Sequence, residues 1–165
     1  MPHRRTLAVT AKRKIVLVAG ALSADRTIAL ERLLVREAEN SGWSERLDIR
    51  LGGIGGGAGH VSDAGAAALQ AVGIEAADAI CPDLERRREL FDGVETIVCD
   101  SGHAADALVD WDESGGADFL TLDELTGHGD DGEGEPVDAP IARDVEEFAA
   151  LAPEVLRRLI AGDAG

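Results

Sequence analysis

Between an apolar run and a stretch of helical periodicity lies the segment Ile15–Thr27, IVLVAGALSADRT, which brings Ser23, Asp25, Arg26 and Thr27 together. An arginine in the first turn of a helix that follows a strand can clamp an oxyanion bidentately, helped by the free backbone N–H groups of that turn. Ser23 and Thr27 add hydroxyls, so Arg26, Ser23 and Thr27 form the candidate anion site. Asp25 opposes it. A carboxylate a few ångströms from an incoming anion costs about 4 kcal/mol at an intermediate dielectric, or it neutralises Arg26 before any ligand arrives. For nucleophilic chemistry, Ser23 and Thr27 have no histidine near them in the sequence to act as base. Capping the following helix is the simpler role for Ser23.

Three other constellations hold residue types that could do chemistry. Gly53, Gly55 and Ala58 satisfy G-x-G-x-x-A between a strand and a helix, with Asp78 twenty residues beyond Ala58, as a dinucleotide fingerprint would require. The match follows the second strand rather than the first, in a run so rich in glycine that a flexible connector is the plainer reading. His3, His60, His103 and His128, with Cys81 and Cys99, show no metal-ligand spacing. The acidic loop 130–135 lacks an EF-hand pattern. No metal and no cofactor are expected.

The elements that must position these residues alternate strand and helix. Residues 15–19 read as a strand buried on both faces, Thr27–Ser41 as a helix ended by Gly42, and Leu47–Leu51 as an edge strand. Ala64–Val72 reads as a helix capped by Ser62 or Asp63 and ended by Gly73, and Cys81–Leu90 as a short helix. Val94–Cys99 is a strand with a helix off its end, and Asp118–Leu122 a further strand. After a polar acidic loop, Ala142–Ile160 is a helix that Pro153 kinks or splits. The pattern predicts an α/β fold, a three-layer sandwich in which a four-stranded parallel sheet has helices on both faces. Ligands of such folds bind beyond the carboxyl ends of the strands, where Arg26 falls.

Length and charge bound the rest. The 165 residues suit one domain, expected over 15–161, with a basic disordered tail at 1–14 and a short tail at 162–165. The net charge is -16, and Arg4, Arg5, Lys12, Arg13 and Lys14 crowd the start; setting those five aside leaves 11 basic against 32 acidic side chains, or -21. So acidic a surface repels nucleic acid and anionic membranes. With lysine only at 12 and 14, it also suggests adaptation to high salt. Two distant cysteines give no disulfide framework. No secretion signal or membrane-length apolar span is seen, so a soluble cytoplasmic protein is expected.

The ordered series of segments resembles the low-molecular-weight protein tyrosine phosphatases, a family that includes cysteine-based arsenate reductases. Their signature is a strand, then C-x5-R-[ST], then a helix with a double leucine. Here Arg26 and Thr27 fit the R-[ST] positions, Leu33 and Leu34 the paired leucines, and six residues before Arg26 stands Gly20. HVSDAGAAALQAVGI resembles the family's segment around its second helix, and IVCDSGH the stretch V-M-T-x-x-H, with His103 as the histidine. PVDAP resembles the D-P loop, with Asp138 at the general-acid position and Ala139 where the family has proline. The similarity spans about residues 15–160.

The resemblance implies a thiolate nucleophile, an arginine binding the phosphoryl oxygens, and an aspartic acid protonating the leaving group. The nucleophile position holds glycine. The position before the arginine, often a second cysteine, is Asp25, and Leu22 and Ser23 replace the glycine and asparagine that shape the loop. Gly20, Asp25, Arg26, Thr27 and Asp138 are therefore degenerate catalytic positions. The expected function is a catalytically inactive member acting as a binding or regulatory module, with a groove by His103 and Asp138. Its partner would be an unidentified protein or a small anion, and a homodimer is compatible with this. The alternatives are a hydrolase with Asp25 as nucleophile and a nucleotide-binding module using the glycine loop.

Overall fold

A computed structural model describes residues 13–111, 113, 115–122, 125 and 141–164. Strands β1 (Lys14–Gly20), β2 (Leu47–Gly53), β5 (Thr96–Cys99) and β6 (Asp118–Thr121) form a sheet in the order β2-β1-β5-β6, parallel at every pairing. Val16 and Val18 point to one face and Leu17 and Ala19 to the other, all fully buried, as the period of two requires.

Helices α1 (Ala24–Asn40), α2 (Asp63–Ala71) and α4 (Ile141–Ala164) share the core on the first face. Helix α3 (Gly102–Leu108) and the 3₁₀ turn Arg88–Phe91 cover the second, through Ala104, Leu108 and Phe91. The expected three-layer α/β sandwich is thus the observed one.

Two local expectations are corrected. Residues 81–90 do not form a helix. Ile80–Cys81 is strand β4, antiparallel to β3 (Gly59–His60), and the chain then crosses the open edge of β2, where Gly53 N–H donates to Pro82 O at 2.8 Å and Leu84 N–H to Gly53 O at 2.9 Å. Unpaired edge groups of β2 thus outweigh the local helical bias of DLERRREL. Pro153, for its part, does not split the last helix. Phe148, Ala152, Val155, Leu156 and Leu159 bury a continuous stripe around it, and this packing offsets the lost backbone bond.

Candidate functional site

In the sheet register Gly20 pairs with Gly53, and Ala19 with Cys99. The loops after β1, β2 and β5 therefore leave side by side at one edge. Strand order reverses between β1 and β5, the position where open α/β sheets build their crevices. Arg26 and Asp100 meet there.

Ser23 caps α1, its Oγ accepting from the Arg26 N–H at 3.1 Å. That turn aims the Arg26 side chain inward, where it is 15 % exposed. Nε donates to Asp100 Oδ2 at 3.4 Å, one Nη to the Asp100 carbonyl at 3.4 Å, and the other Nη meets Asp144 Oδ1 at 2.8 Å. The guanidinium also lies 5.1 Å from the centroid of the Phe148 ring. Asp144 and Phe148 are one turn apart on α4, so one helix face supplies both contacts. One cation thus serves two carboxylates.

Asp100 is fully buried and also accepts from Ser101 Oγ at 3.2 Å and from the Ala21 N–H. Burial pushes its carboxyl above the ordinary range, against the opposing pull of Arg26, Ser101 and Ala21. For Arg26, burial lowers the pKa, but Asp100 and Asp144 together raise it beyond its ordinary value. The guanidinium stays charged and is already paired.

Asp25 does not face Arg26. Its carboxylate accepts from the Ser62 N–H at 2.8 Å and the Ser62 hydroxyl at 2.5 Å, while the same hydroxyl caps α2 by accepting from the Gly65 N–H at 3.0 Å. Gly65 has no side chain because one would meet the Asp25 carboxyl carbon at 2.6 Å. Asp25 is therefore the bracket between the starts of α1 and α2.

Gly20 is closed to any side chain. A Cβ built there would stand 2.1 Å from Thr27 Oγ1 and 3.1 Å from Asp100 Oδ2. Thr27 is fully buried, its hydroxyl shared between the carbonyls of Ser23 at 3.0 Å and Gly57 at 3.1 Å. Gly57 in turn lies so near that its own Cβ would meet Gly20 O at 2.0 Å, and Ile54 N–H donates to that carbonyl at 3.0 Å. The glycine-rich segment is not a free connector: it is the wall against which the first loop closes. Nor does it open a helix, since a 3₁₀ turn Gly55–Gly57 and β3 come before α2, and Asp78 is exposed.

Of the remaining candidates, His103 is exposed on α3 and His60 on β3. Cys81 and Cys99 are buried on separate strands, and burial, with Glu31, Asp100 and Asp83 adding to it, pushes the Cys81 thiol up to about 12. Such a thiol is not an activated nucleophile. Asp138, His3, His128 and the loop 130–135 lie outside the described residues. Among the described residues no three His, Cys, Asp or Glu side chains gather as a metal site, and no helix is long and apolar enough to cross a membrane. Sequence reasoning missed Asp100 and Asp144. Asp100 was findable, as the residue directly after the strand beside β1; Asp144 was not, because its role depends on where α4 docks.

No family model matches the chain, and no curated protein matches it. Solved structures do. A low-molecular-weight protein tyrosine phosphatase from T. tengcongensis is 18% identical, with a TM-score of 0.68 over 88% of this chain and 99% of that one. The YwlE arginine phosphatase from Geobacillus stearothermophilus is 18% identical, with a TM-score of 0.67 over 92% of this chain and 96% of its own. A protein tyrosine phosphatase from Entamoeba histolytica is 14% identical, with a TM-score of 0.69 over 91% and 99%. The fold is that of the low-molecular-weight protein tyrosine phosphatases.

Proposed function

We propose that the chain is a phosphatase-fold protein that does not hydrolyse phosphomonoesters and serves as a cytoplasmic binding or regulatory module. The observation that carries this reading is the closure of Gly20: no nucleophile stands there, and Thr27 and Asp100 fill the place one would occupy. A solved relative, a YwlE arginine phosphatase mutant, carries a phosphorylated serine in its active site. Gly20 offers no atom for such a bond. Asp25 is a poor substitute nucleophile, since both its oxygens are held by Ser62. With Arg26 compensated by two carboxylates, a protein partner is favoured over a small anion.

The test is hydrolysis of p-nitrophenyl phosphate at low and multimolar salt, with Arg26→Ala prepared in parallel. No turnover above that variant is expected in either condition. Turnover that vanishes with Arg26 would overturn the reading.

A further inference from the structure

We draw no further inference here: the strongest candidate, the surface patch where Arg88 lies 4.0 Å over the Trp111 ring beside the exposed Arg86 and Arg87, carries nothing, because Glu89 and Glu113 already pair with Arg87 and Arg88 and nothing in the structure shows what covers it.

Discussion

Helix α4 carries two charge triads that are mirror images. Near its start, Arg26 lies between Asp100 and Asp144; further along, Glu154 lies between Arg157 and Arg158. The number of contacts is the same and the signs are exchanged. Burial separates them. The Asp100 side chain is fully enclosed and its carboxyl is pushed up by desolvation, whereas Glu154 is in water and its two arginines hold it down at about 2. In the buried triad a lost partner leaves a charge that cannot be hydrated; in the exposed one water and salt take the partner's place. The buried triad therefore constrains where α1, β5 and α4 sit, and the exposed one hardly constrains anything.

The sharpest way to break this contrast is Arg26→Met. It leaves two carboxylates facing each other in the core, so a loss of about 3–5 kcal/mol is expected at neutral pH in urea unfolding. Its pH dependence has a definite sign. A carboxyl raised in the folded state contributes stability at pH below its unfolded value of 3.8 and loses it as pH rises through the folded value. The deficit should shrink steadily as the pH is lowered from 7 towards 4. A deficit independent of pH would mean that Asp100 is not the group left exposed to repulsion.

Gly57→Ala comes next, with a loss of up to about 3 kcal/mol. A methyl there meets a backbone atom, the Gly20 carbonyl oxygen, at 2.0 Å. Gly20→Ala meets a side chain instead, Thr27 Oγ1 at 2.1 Å. It should cost less in a Thr27→Ala background than in the parent, a coupling that a double-mutant cycle of thermal melts measures. Additive effects would show that Thr27 is not what closes the Gly20 position.

These residues also show how much was legible beforehand. The four strands and their layers could be read because β1 is apolar on both faces and turns, caps and helical spacing mark what lies between. Arg26 and Gly20 could be located because position along the first strand and helix is a local property. The partners of Arg26 could not, since Asp100 and Asp144 lie 74 and 118 residues away and meet it only when β5 pairs with β1 and α4 docks on α1. The direction of Asp25 was equally hidden. Adjacent in sequence to Arg26, it reads as a carboxylate that repels an incoming anion or neutralises that charge, but successive helix positions point about 100° apart and Ser62 receives it instead. For the same reason the glycine-rich loop read as slack: what it packs against is another loop.

Asp25 gives an intermediate case between the two triads, a half-buried carboxylate satisfied by neutral donors. Asp25→Ala should cost about 1–2 kcal/mol through the loss of two hydrogen bonds at the start of α2. Little salt dependence is expected in thermal melts, because no ion pair is broken. A strong salt dependence would place Asp25 in the field of Arg26 after all.

Glu154→Gln should have the smallest effect, and its conditions make it informative. Its carboxyl is lowered from 4.5 to about 2, so the stability it contributes is present above 4.5 and is lost as pH falls through about 2. The variant should therefore melt slightly below the parent at pH 6 in low salt and coincide with it near pH 2. In multimolar salt, where the screening length falls to about 3 Å or less, the two should also coincide at pH 6. If Glu154→Gln instead lost as much as Arg26→Met, or kept its deficit in high salt, exposure would not be what divides the two triads. Helix α4 would then be held by its charges along its whole length rather than at its first turn alone.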